Sequence, residues 1–98
     1  MADVDYDNKR IERLCTDMRY AQKEHGAEVA SHMKRRIAEL RGVLVVEDLL
    51  KTTGRWEELS GDRAGQWSAR LGRSLRLIVE AARGDGCIRV MEVIDYHQ

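Results

Sequence analysis

The stretch "GQWSARLGRSLRLIVEA" (residues 65–81) carries its apolar residues at every second position. Trp67, Ala69 and Leu71 alternate with Gln66, Ser68 and Arg70, and Leu75, Leu77 and Val79 alternate with Ser74, Arg76 and Glu80. A period of two is the pattern of strands with one buried face, so this stretch reads as a hairpin across Gly72. Its register follows from the same alternation. A two-residue turn at Gly72-Arg73 would pair Leu71 with Ser74 and put Arg76 on the Trp67 face, mixing polar and apolar sets. A three-residue loop, or a bulge, keeps them apart. Gln66, Ser68, Arg70 and Arg76 are then expected together on the face turned away from the core.

Working outward, Arg83-Gly84-Asp85-Gly86 reads as a turn and Cys87 to Asp95 as the last strand, before the chain closes on "DYHQ". Upstream, Ala2 to Tyr6 is extended. Ile11, Leu14, Cys15 and Met18 then recur as the stripe of an amphipathic helix, with Asp7 or Asn8 as its N-cap and an end at His25-Gly26. A second helix follows, with Val29, Met33, Ile37 and Leu40 on one face and Lys34, Arg35 and Arg36 largely on the other, stopping at Gly42. The two are expected to form an antiparallel hairpin. "VLVVEDLLK" (43–51) reads as either a strand or a short helix, and Glu47-Asp48-Leu49-Leu50 favours a helical turn that Thr52-Thr53-Gly54 ends. The sum is an α+β domain spanning residues 1–98: two N-terminal helices packed on one face of a small antiparallel sheet, with the other face open.

Composition narrows the function. With 43% apolar and 35% charged residues the chain is neither disordered nor membrane-embedded, and no apolar run approaches a membrane span. The N-terminal Met-Ala-Asp-Val-Asp-Tyr-Asp is acidic and lacks the apolar core of a secretory signal, so a cytoplasmic protein is expected. Cys15 and Cys87 are accordingly expected as reduced thiols. Seventeen Lys and Arg balance seventeen Asp and Glu, which excludes a uniformly basic nucleic-acid module. Distribution matters more: six Arg and no Lys lie between Arg55 and Arg83, and Arg is the side chain suited to bidentate phosphate contact.

Taken alone, Asp95-Tyr96-His97 is either a solvated strand end or a group of acid-base side chains. Arg76 on an open face is either a solubilising charge or a phosphate ligand. Arg63 either holds its Gly-rich loop by pairing Asp62 or touches a ligand. Trp67 shares its parity with Ala69 and Leu71 and is read as core. Trp56 is either core or an exposed surface for stacking or for binding a partner protein, and Lys34-Arg35-Arg36 is either a solvated helix face or a contact to RNA. His25, Glu28 and His32 fall roughly on one helical face, but Gly26 interrupts the helix and a fourth metal ligand is missing.

"ELSGDRAGQWSARLGRSLRLIVEA" (58–81), followed after a turn by "VMEVIDYH" (90–97), resembles the HigB-type toxins, the plasmid maintenance killer proteins of the RelE/ParE superfamily. The resemblance extends upstream through "LCTDMRYAQKEHGAEVASHMKRRIAEL" (14–40) and is most specific at Gly61-Asp62-Arg63-Ala64-Gly65-Gln66, Arg76-Leu77-Ile78 and Asp95-Tyr96-His97. It implies a RelE-like fold and a ribosome-dependent mRNA endonuclease, held inactive by a HigA-like helix-turn-helix antitoxin. Such a nuclease works by attack of a ribose 2′-OH on its own 3′-phosphate, with no metal or small-molecule cofactor. The implied catalytic residues are His97 for proton transfer, Asp95 to orient it, Tyr96 to stack or donate a hydrogen bond, and Arg76 to hold the phosphate. Arg63, Arg70 and Ser60 are the implied substrate-binding residues. Glu57 stands where many HigB-like sequences have a His, and Ser60 where HigB has a Lys; a carboxylate at 57 is a chemically competent base. The rival readings are a non-enzymatic inhibitor of DNA gyrase, as in the ParE branch, and an inactive protein that only titrates antitoxin.

Overall fold

Asn8 starts the first helix as expected. Its side-chain oxygen accepts the Ile11 amide at 2.9 Å, and α1 runs over Lys9–Thr16 with Ile11 and Leu14 buried. This computed structural model describes residues 3–81 and 87–95. The expected turn at 83–86, and Tyr96 and His97, lie outside the described residues.

The expected single first helix is two. Asp17 adopts an extended conformation (φ −115°, ψ 101°), its amide closing α1 on the Arg13 carbonyl while its carboxylate accepts the Tyr20 amide at 3.2 Å to open α2, Met18–His25. The apolar stripe runs through this break, which hides it from a periodicity reading; the signal is the capping carboxylate. Gly26 joins α2 to α3, Ala27–Gly42, at φ 92°, a conformation L side chains rarely adopt. Residues Val46–Lys51 form 3₁₀ turns, as the Glu47-Asp48-Leu49-Leu50 cluster suggests.

Five strands follow the order β1-β5-β4-β3-β2: β1 Asp3–Tyr6, β2 Glu57–Glu58, β3 Gln66–Arg70, β4 Leu75–Ala81 and β5 Cys87–Asp95. The hairpin register is the expected one. Leu71 donates its amide to the Leu75 carbonyl across Gly72-Arg73-Ser74, and Arg70 lies opposite Arg76. The sheet is mixed rather than antiparallel, because β1 pairs in parallel with β5, Asp3 opposite Cys87 and Tyr6 opposite Val90. A second departure is a bulge in β5. Val79 lies opposite Val90 but Ile78 opposite Glu92, so Met91 is the extra residue and the side-chain alternation resets beyond it.

Helices and sheet meet in one apolar layer built from Leu14, Met33, Ile37 and Leu40 on one side and Trp67, Leu77, Val79, Ile88 and Val90 on the other. Trp67 belongs to this core, as its parity indicates. Trp56 joins it too, so the stacking alternative falls. No described helix is long and apolar enough to cross a membrane.

Candidate functional site

The face of the sheet away from the helices is laid out by strand register. One row across the strands reads Glu57, Ser68, Ile78, Glu92, and the next reads Arg70, Arg76, Ile94. The central residues Ser68 and Ile78 are almost fully buried although they alternate with the core-facing residues of their strands. Arg63, in the 3₁₀ turn Gly61–Arg63 ahead of β3, donates to Gln66 Oε1 at 2.9 Å and to Glu92 Oε2 at 3.1 Å. That pair reaches from the start of β3 to β5 and so crosses β4 at the level of Ile78. Arg63 therefore secures its loop, but through Glu92 and Gln66 rather than Asp62. Ser60 is exposed in the same loop.

Beside this bridge, Glu57, Arg70 and Arg76 line a cleft of about 200 Å³ together with Arg55. Three of the residues singled out from the sequence are thus brought together. Arg55 was missed, since it precedes the first strand of the alternating region and belongs to no periodic pattern. Its backbone is a usable signal in the structure: φ is 53°, the left-handed region, alone among the described non-glycine residues.

A buried network holds Arg55 and Arg70 where they are. Glu39 on α3 accepts two hydrogen bonds from Arg36 Nη1 at 2.8 Å each, one from Trp56 Nε1 at 2.9 Å and one from Thr53 Oγ1 at 3.0 Å. Arg36 Nε donates to the Arg70 carbonyl at 3.1 Å, while the Arg70 amide donates to the Gly54 carbonyl at 3.2 Å. Gly54 is packed against this network so closely that a Cβ would lie 2.5 Å from Glu39 Oε1. Arg36 is consequently buried, not part of a solvated basic face, because its charge is matched by Glu39. Residues 53–56 and the end of β3 are clamped to α3 from both sides.

The bulge at Met91 decides what else the site contains. Beyond it Glu92 and Ile94 face the cleft side, and Asp95 lies opposite Leu75 on the parity of the core-facing residues. Asp95 is thus not on the Arg76 face, while Tyr96 and His97 lie outside the described residues. At the β1 edge, Arg89 pairs with Asp5 at 2.8 Å and reaches Asp7 at 4.0 Å. Basic character is therefore cancelled at one end of the sheet and retained near Arg55 and Arg70, which make no ion pair among the described residues.

The fold is one shared with solved structures of bacterial toxins. A YoeB/ParE toxin from Agrobacterium tumefaciens superposes with a TM-score of 0.67 at 18% identity, over 98% of this chain and 99% of that one. YoeB of Staphylococcus aureus, in complex with YefM, gives 0.64 at 16% identity over 100% and 99%. YafQ of E. coli strain BL21(DE3) gives 0.59 at 18% over 97% and 93%. No family model matches the chain, and no curated protein matches it.

Proposed function

We propose that the protein is the toxin of a type II toxin–antitoxin pair and cleaves mRNA on the ribosome through the cleft of Arg55, Glu57, Arg70 and Arg76. The observation that carries this reading is the convergence of one carboxylate and three guanidinium groups on a single small cleft. Glu57 removes the proton from a ribose 2′-OH. The 2′-oxygen bonds to the adjacent phosphorus, the bond from phosphorus to the 5′-oxygen breaks, and the products are a 2′,3′-cyclic phosphate and a 5′-OH. Arg70 and Arg76 take up the charge that grows on the non-bridging oxygens, a role planar guanidinium groups fill well. His97 returns a proton to the leaving 5′-oxygen and Tyr96 stacks on a base, two roles that rest on the resemblance of the tail. Asp95 supports the tail and does not touch the phosphate. Arg63 and Ser60 shape the loop along which the RNA lies.

So small a surface orients RNA poorly by itself, so the ribosome supplies the alignment of the 2′-OH with the departing oxygen. The partner in the resting state is a helix-turn-helix antitoxin. The S. aureus YoeB–YefM toxin–antitoxin heterotetramer supports an antitoxin partner as such.

The test is induction of the wild type, Arg76→Ala and His97→Ala in growing cells, with mRNA 5′ ends mapped and DNA supercoiling measured. The nuclease reading requires new mRNA ends that both variants lose together with growth arrest. Arrest that persists in both variants and comes with altered supercoiling would instead indicate gyrase inhibition. Antitoxin binding without arrest by the wild type would indicate an inactive protein.

A further inference from the structure

Arg55 and Arg70 line two clefts, not one. Behind the cleft that holds Glu57 and Arg76 lies a second, of about 330 Å³, whose further walls include His32, Gly72 and Arg73. The imidazole of His32 is held in place, with Nδ1 lying 2.9 Å from the Leu71 carbonyl oxygen. A carbonyl can only accept, so Nδ1 carries the hydrogen and Nε2 is left as the ring nitrogen available to a ligand. Arg55, Arg70 and Arg73 make no ion pair among the described residues, and Arg36, which also borders this cleft, is already matched by Glu39. Glu28 is the one carboxylate in the lining. A chain of zero net charge thus places Arg55, Arg70 and Arg73, none of them ion-paired among the described residues, on two clefts that share a wall.

We propose that the second cleft binds the phosphodiester next to the one that is cleaved, so that the RNA strand passes from cleft to cleft over Arg55 and Arg70. This rests on the reading of the first cleft as the cleavage site. A guanidinium presents five N–H donors on several edges, so one Arg can serve two neighbouring phosphates. The clamp on the Arg70 backbone from Arg36 and Gly54 sets the shared wall before substrate arrives. The open, polar hollow suits an anion on a flexible chain rather than an apolar side chain.

Isotope-labelled full-length protein titrated by NMR with 2′-O-methyl RNA, which lacks the nucleophile and is not cut, separates the two clefts. A dinucleotide with one phosphodiester is compared with trinucleotides extended by one nucleotide on either the 5′ or the 3′ side. The dinucleotide is expected to shift the Arg70 and Arg76 signals. One of the trinucleotides should bind roughly tenfold more tightly, the size of one charge-assisted contact, and should also shift His32 and Gly72. Arg73→Gln should remove most of that gain and leave the dinucleotide unaffected; Arg73→Lys should restore part of it. Arg35→Gln, an exposed charge elsewhere on α3, should leave the gain intact. Should the dinucleotide bind at Arg70 and Arg76 while neither extension adds affinity, the second cleft is refuted and the first stands. Should Arg35→Gln cost as much as Arg73→Gln, the gain is net charge and the proposal is overturned. If the dinucleotide leaves Arg70 and Arg76 unmoved, both readings fail together.

Discussion

Glu57 and Arg76 line one cleft from the strands on either side of β3, one row apart, and the proposed reaction makes separable demands on them. Glu57→Gln keeps the shape and removes the proton acceptor, so single-turnover cleavage on ribosomes should fall by roughly 10² to 10⁴ with RNA binding little changed. Arg76→Ala removes a donor to the developing charge and should cost roughly 10² to 10³ in the same assay. Equal loss of binding and rate in Glu57→Gln would mean that the carboxylate is structural. A third residue behaves oppositely. Burial pushes the Cys15 thiol from an ordinary value near 9 up to about 12. Its folded value lies above the unfolded one, so the neutral thiol favours the fold fully below about pH 9, and that contribution is lost as pH rises towards 12. Alkylation of Cys15 at pH 8 should therefore be at least about a hundredfold slower in the folded protein than in denaturant, followed by peptide mass spectrometry. At this scale the site was partly legible. Arg70, Arg76 and Glu57 came from register and resemblance, whereas Arg55 sits on a left-handed backbone that no alternation marks. Arg36 looked solvated because its pairing with Glu39, three residues along the same helix, does not by itself reveal that the pair is buried under residues 53–56.

Among the elements, α3 positions the cleft through the Glu39 network. Glu39→Ala would leave Arg36 buried without its counter-charge, a loss of roughly 3 to 5 kcal/mol that denaturant unfolding should show directly. An unchanged midpoint would mean that the clamp contributes nothing to the fold. The bulge in β5 is equally specific. Pairing Met91 with Ile78 would turn Glu92 to the core-facing side, whereas deleting Met91 removes only the extra residue and keeps Glu92 opposite Ile78. The pair with Arg63 and the cleavage activity are therefore expected to survive the deletion, as thermal unfolding and the ribosome assay would show. The hairpin register was readable from residues 65–81 because alternation allows only one pairing that separates the two faces. Three elements were not readable. Asp17 splits a helix without disturbing its stripe, Met91 is apolar at a position where either face accepts it, and β1 carries too few residues to declare that it pairs in parallel.

For the molecule as a whole, zero net charge conceals a separation. Asp5 and Asp7 neutralise Arg89 at the β1 edge, and Arg55, Arg70, Arg73 and Arg76 are gathered on the two clefts at the opposite end of the sheet. For the proposed nuclease, such a layout would offer one basic end to RNA phosphates and leave the rest of the protein without a net attraction for them. The fold was legible as α+β because helical and strand periods occupy different halves of the chain. The most direct measurement is cleavage of a defined mRNA on purified, programmed ribosomes by the wild type and by Arg70→Ala/Arg76→Ala, with the chemistry of the product ends determined. Wild-type cleavage leaving a 2′,3′-cyclic phosphate and a 5′-OH, abolished in the variant while it stays folded, is the result expected. Intact mRNA with the wild type, or undiminished cleavage by the variant, would contradict it.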